Sequence, residues 1–209
     1  MIHQNYWQII KDEVETSSID LVVLDPPYDI YFERYNWDIQ GVIDWNDLAK
    51  QLFRVLKESK DLVVFTDSDN IDKILTTFTK AGFYSTSLPY WLYENGLNAV
   101  RFIKPGGNPD IIYKKMSAEI NEITWQYCRT CDEAITQGHE GHNTIKHPSQ
   151  KPLDVIMQII HLLTKKDDVV LDCFMGTGTT GEAAKLLSRK FIGVEMNDEY
   201  FKIAKKRLR

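Results

Sequence analysis

The chain has only three cysteines in 209 residues, Cys128, Cys131 and Cys173. That is too few for a disulfide framework and suits a reducing compartment. Nowhere do about 18 apolar residues run together, so no membrane span is expected. The opening Met1-Ile2-His3-Gln4-Asn5 lacks the charged start and apolar stretch of a secretory signal, and a cytoplasmic location follows as the expectation. Positive charge is not in excess either. The net charge is −5 and the pI about 5.6, so no overall field draws in a polyanion. Segment 97–116 is the local exception, where Arg101, Lys104, Lys114 and Lys115 face only Asp110, a candidate basic patch. Internal repeats, low-complexity tracts and linkers are absent. The length suits one core and hence a single domain, 1–209.

Strand-like apolar runs alternate with helix-like stretches, which predicts a mostly parallel α/β sheet wrapped by helices. Strands are expected at Ile19–Asp25, Asp61–Thr66, Asp168–Asp172 and Phe191–Glu195. Phe83–Tyr93, Asn98–Lys104 and Asp110–Lys115 read as antiparallel edge strands. Helices are expected at Asp44–Ser59, Asn70–Lys80, Pro152–Leu163, Thr179–Ser188 and Asp198–Leu208. Residues 117–147 show weak periodicity and read as an irregular insertion. Three strands end in acids, Asp25, Asp172 and Glu195. Ligands in open parallel sheets sit at the carboxyl ends of strands, so these acids are the first candidates for a site.

The run Asp172-Cys173-Phe174-Met175-Gly176-Thr177-Gly178-Thr179-Thr180-Gly181 joins a strand to a helix. Its G-x-G-x-x-G spacing fits dinucleotide binding, with Glu195 placed where a ribose-binding acid would fall. Only 28 residues follow Gly181, too few for a second half that would hold a nicotinamide. No lysine follows Gly178, so the loop is not a phosphate-cradling P-loop. It offers close backbone approach and a helix N-terminus that favours a carboxylate. Asp172 would accept from an ammonium and Glu195 from two ribose hydroxyls. S-adenosylmethionine carries an amino acid and a ribose together.

Asp25-Pro26-Pro27-Tyr28 ends the first strand. An aryl amine is a poor nucleophile because its lone pair is delocalised into the ring. The Asp25 carboxylate and Pro26 carbonyl can accept its two N–H bonds and draw the nitrogen towards tetrahedral geometry. Neither proline has an N–H to compete, and fixed φ angles hold the acceptors still. Tyr28 can stack on a base taken out of a duplex.

These segments, in this order, resemble the permuted beta group of DNA amino-methyltransferases. His147-Pro148-Ser149-Gln150-Lys151-Pro152 is similar to a third motif of that family, and Tyr35-Asn36-Trp37-Asp38 to its substrate-side loop. The resemblance covers most of 17–116 and all of 147–208. It implies a circularly permuted class I methyltransferase fold, Rossmann-like and seven-stranded, with an antiparallel edge hairpin. The implied cofactor is S-adenosylmethionine, held by Asp25, Ser149, Lys151, Asp172, Phe174, Gly176, Gly178, Thr179 and Glu195. Catalysis is implied at Asp25, Pro26, Pro27 and Tyr28. The implied substrate is adenine in DNA, within a restriction-modification setting in a prokaryotic cell or the host of a virus. Cytosine amino-methylation and a non-catalytic subunit of a methyltransferase pair are the alternatives, although an intact Asp-Pro-Pro-Tyr disfavours the second. Residues 117–146 are a short stand-in for the family's target-recognition region. Either recognition is then relaxed, or a homodimer or separate specificity subunit contributes.

Within that insertion Cys128, Cys131, His139 and His142 have a C-x2-C-x7-H-x2-H spacing compatible with tetrahedral zinc. The histidines also read naturally as loop residues beside Gly138 and Gly141, and Cys128 as packed beside Trp125 and Tyr127. No metal is assigned.

Overall fold

A computed structural model of the protein describes residues 6–27, 43–86, 97–106, 126–128, 133–135, 150–151 and 153–209. After helix α1 (Tyr6–Asp12) come β1 (Ile19–Leu24), α2 (Trp45–Val55), β2 (Leu56–Asp67), α3 (Ile71–Lys80), β3 (Tyr84–Ser85) and β4 (Leu97–Ile103). A short ribbon, β5 (Gln126–Cys128) and β6 (Glu133–Ile135), precedes α4 (Leu153–Leu163), β7 (Val169–Asp172), α5 (Thr179–Leu186), β8 (Lys190–Gly193) and α6 (Asp198–Arg207).

Six of the described strands form one sheet in the order β3-β4-β2-β1-β7-β8. Its centre is parallel: β1 pairs with β2 and β7, and β7 with β8. The β4 strand runs antiparallel to both β2 and β3. This is the expected class I architecture with an antiparallel edge, permuted so that β1 precedes β7 in the chain. The expected strand at 110–115 lies outside the described residues.

Alternation along β1 explains the three layers. Val22 and Leu24 point to one face, where α1, α2 and α3 cover them with Ile9, Ile10, Leu48, Leu52, Ile74 and Phe78. Leu21 and Val23 point to the other, under Val155, Ile156, Ile159 and Ile160 of α4 and Ala183 and Ala184 of α5. A strand buried on both faces reads as a continuous apolar run, as this one does. Full burial of each such aliphatic side chain contributes about 1.5–3 kcal/mol.

Three expectations are corrected. The helix expected over Asp44–Ser59 ends at Val55, and Leu56 already belongs to β2. Leu56 pairs with Ile19, and the register then shifts before Leu21 meets Asp61. Ser59 takes a left-handed φ of 59° in that bulge. The bulge brings Lys57 and Lys60 onto the buried Asp20, at 2.7 and 3.0 Å. Tertiary pairing overrides the helix propensity of Leu-Lys-Glu-Ser-Lys.

The insertion, expected to be irregular, contains the β5–β6 antiparallel ribbon.

The basic patch is also revised. Arg101 is buried, and its Nε and Nη2 donate to Asp61 Oδ1 at 2.8 and 2.7 Å. Lys104 is buried with Nζ donating to the Leu56 carbonyl at 2.7 Å, over the Phe53 ring. Desolvation lowers the Lys104 pKa, against the raising effect of Glu58. Both cations tie β4 and its end to β2 rather than forming an exposed surface. Lys114 and Lys115 lie outside the described residues.

Candidate active site

In chain order the sheet grows from β1 towards β2 on one side and from β7 towards β8 on the other. Its topological switch therefore falls between the neighbours β1 and β7, and the carboxyl ends of strands at such a switch are where open α/β sheets place their ligand crevice. Asp172 is the last residue of β7, and Asp25 follows directly after β1. Two prolines stop β1 because they lack the N–H a ladder requires.

Burial of Asp172 is nearly total. Complete desolvation pushes its carboxyl up to about 7, against the lowering effect of hydrogen bonds from the Thr180 side chain and the Phe174 N–H. The negative charges of Asp25 and Glu195 push it in the same upward direction. The Phe174 N–H bond to Asp172 Oδ1 is 2.9 Å long. Such a site gains by receiving a cation.

The glycine loop is pinned at both ends. Met175 N–H donates to the Val194 carbonyl at 3.0 Å, and Val194 N–H to the Asp172 carbonyl at 2.9 Å. Gly176 and Gly178 take left-handed φ values of 50° and 87°. At Gly178 a Cβ would also lie 3.0 Å from the Ala204 Cβ on α6. Glycine there serves both the turn and the seating of α6.

Glu195 orients this loop. Its Oε2 accepts from the Gly176 N–H at 2.9 Å and its Oε1 from the Asn197 N–H at 2.7 Å. Asn197 in turn caps α6, its side chain accepting from Glu199 and Tyr200 N–H. Thr179 is buried, and its hydroxyl accepts from Arg207 Nη1 at 3.0 Å. Lys151 donates to Asp25 Oδ2 at 2.7 Å.

These contacts join Lys151 to Asp25, Phe174 to Asp172 and Gly176 to Glu195. Asp25 and Glu195 both lie near enough for their charges to act on Asp172. Gly178 follows in the same loop, and Pro26 and Pro27 come directly after Asp25. Thr179 sits at the start of α5. Tyr28 and Ser149 lie outside the described residues, as do the 35–38 loop, Cys131, His139 and His142. Cys128 is the last residue of β5. Among the described residues no group of three His, Cys, Asp or Glu could hold a metal ion, and no helix is long and apolar enough to cross a membrane.

Three contributors were not singled out from sequence. Gln150 accepts from the Thr177 hydroxyl at 3.1 Å, Thr180 bonds to Asp172, and Asn197 braces Glu195. All three lie in or beside motif residues already named, which is the signal that could have found them.

The donor set fits S-adenosylmethionine. A buried carboxyl held near neutrality calls for a cation such as its ammonium. The left-handed glycines allow close backbone approach, and Glu195 is a carboxylate oriented by backbone at the loop.

A family described as DNA methylase matches residues 19–206. The Type II methyltransferase M2.DpnII of Streptococcus pneumoniae is 54% identical over 252 residues, covering all of this chain and 88% of that protein. That alignment is longer than this chain, so it contains gaps on this side. The DNA adenine methyltransferase YhdJ of Escherichia coli (strain K12) is 25% identical, over 94% of this chain and 78% of its own length. Among solved structures, an M1.HpyAVI-SAM complex superposes with a TM-score of 0.68 at 27% identity. It covers 99% of this chain and 97% of the other.

Proposed function

Since the chain belongs to the DNA methylase family and is an S-adenosylmethionine-dependent DNA methyltransferase, we propose that its acceptor is the exocyclic amine of adenine, on a base turned out of the duplex. The observation that carries this is the placement of Asp25 and Asp172 at the ends of adjacent strands. The segment suited to an amine and the loop suited to the cofactor open onto one crevice.

When bound, S-adenosylmethionine supplies a methyl group on a sulfonium, an electrophile that needs no activation by a metal. Asp172 receives its ammonium, and Glu195 its ribose. Asp25 and the Pro26 carbonyl accept the two N–H bonds of the amine. They hold its nitrogen with the lone pair free to react, so positioning provides much of the acceleration. Tyr28 stacks on the extruded base. Asp25 in the Asp-Pro-Pro-Tyr context favours adenine, as does the similarity to YhdJ. Incubation with labelled S-adenosylmethionine and mixed oligonucleotides, followed by nucleoside analysis, is expected to yield N6-methyladenine. Recovery of N4-methylcytosine instead would overturn the base assignment.

The short insertion supports relaxed target recognition, or a homodimer or separate specificity subunit that completes it. A stringent site of six or more bases methylated by the chain alone would contradict this. A cytoplasmic location accords with DNA as substrate.

Tyr28 acts through its ring face, so Tyr28→Phe and Tyr28→Trp should retain appreciable turnover and Tyr28→Ala little. The stacking at stake is ~1–3 kcal/mol per base. Equal losses for Phe and Ala would move the role to the hydroxyl.

Glu195→Ala should weaken cofactor binding by ~1–3 kcal/mol. The side chain's bonds to Gly176 and Asn197 are lost with it, so the loop loosens as well. Calorimetry with S-adenosylmethionine measures the change, and unaltered affinity would remove Glu195 from the cofactor site.

A further inference from the structure

Gln150 and Lys151 are adjacent in sequence, yet each reaches a different half of the crevice. The Gln150 side chain accepts from Thr177 in the glycine loop at 3.1 Å. Lys151 Nζ crosses to Asp25 Oδ2, a partner 126 residues away along the chain, at 2.7 Å. The exposure of this pair is uneven, 6% for the lysine side chain and 21% for the aspartate. The lysine is therefore the more deeply buried partner of the pair. Below it lies the fully buried Phe65 of β2, with Nζ 5.4 Å from the ring centroid.

A lysine at the surface is a mobile point charge on a flexible stem. Here the stem is packed, the ring face favours the cation, and the carboxylate takes up its charge. Engaging one carboxylate oxygen at hydrogen-bond distance also restricts rotation about the Asp25 side-chain bonds. Orientation matters because a misplacement of about 1 Å can cost about 10²-fold in rate.

We propose that Lys151 is a positioning residue that fixes the Asp25 carboxylate for the acceptor amine, while Gln150 anchors the same segment to the cofactor loop. The dipeptide thereby sets the separation between the donor and acceptor sides of the crevice. This inference rests on the reading of Asp25 as the group that receives the amine.

The test compares Lys151→Met and Lys151→Arg with the unaltered protein. It reads kcat at saturating S-adenosylmethionine and DNA, cofactor affinity by calorimetry, and thermal unfolding. Lys151→Met is expected to lose about 10²-fold in kcat while its cofactor affinity stays within about threefold. Lys151→Arg keeps the charge on a differently shaped head. It should fold, bind cofactor normally and show a kcat between the other two. A variant that loses tenfold or more in cofactor affinity but keeps its kcat would overturn the proposal and make the lysine a cofactor contact. If Lys151→Met does not fold, Lys151→Arg decides alone. A reduced kcat with unchanged affinity supports positioning, and an unchanged kcat overturns it. Asp25→Ala is assayed alongside. Turnover by that variant would remove the acceptor reading itself, whereas an inactive Asp25→Ala beside a folded, fully active Lys151→Met would remove only the positioning role.

Discussion

Replacing Asp25 with alanine is expected to abolish methyl transfer, by about 10³-fold or more when measured as single-turnover incorporation of labelled methyl into DNA. Loss of one preorganised hydrogen-bonding group at a reacting centre already costs about 10²–10³-fold. Here the same change also removes the partner of Lys151. The Lys151 side chain, 6% exposed, would lose this carboxylate, and loss of one half of a partly buried pair costs stability. Because Asp25 itself is 21% exposed, water can reach the gap, which limits that cost to ~1–3 kcal/mol. The variant should therefore fold with a lowered Tm and bind cofactor somewhat less tightly. Near-normal turnover by the folded variant would sink the mechanism.

Asp172→Asn should move stability and binding in opposite directions. The carboxyl titrates at about 7 in the folded chain and near 3.8 when unfolded. A carboxyl raised in this way contributes most below the unfolded value. That contribution is lost as pH rises from about 4 through about 7, because ionising the buried group is costly. Asparagine has no such loss. Without cofactor, the variant should match the parent near pH 4 and exceed it by on the order of 2–4 kcal/mol above pH 7.5. Cofactor binding should fall by ~1.5–3 kcal/mol, the worth of a hydrogen bond to a charged group. Binding to the parent should also release a proton near pH 6 and almost none at pH 8.5. Calorimetry in buffers of different ionisation enthalpy measures this. A variant no more stable than the parent at pH 8 would mean that Asp172 is not a buried acid held for a cation.

The strand-end acids were legible because a parallel sheet places its ligand crevice at the carboxyl ends, and an apolar run closed by an acid marks such an end. The central strands β1 and β7 were legible for a related reason, since burial on both faces leaves an unbroken apolar run. What the sequence hid was pairing between distant residues. Arg101 counted towards a basic surface until Asp61, 40 residues earlier, was found beside it. Lys57 and Lys60 favour helix locally, and only the approach of Asp20 shows why the chain turns to strand at Leu56. Lys151 was readable as a cofactor candidate, but its bond to Asp25 spans 126 positions. Local patterning carries no information about such a partner.

The adjacency of β1 and β7 also bears on how the chain matures during synthesis. Asp20 accepts from the Val169 N–H at 3.0 Å across 149 residues of sequence, and the central ladder joins Leu21 to Val170. The β1 strand thus leaves the ribosome long before the strand that covers its second edge. Until then that edge, rich in Val and Leu, is open to pairing with another chain. Closure over so long a loop is slow, because its entropic cost precedes the contacts that reward it. The acids of the crevice come together only after β7 and β8 have been made. Nascent chains therefore pass through a cofactor-blind interval with apolar surface exposed, and no methylating activity arises until that interval closes.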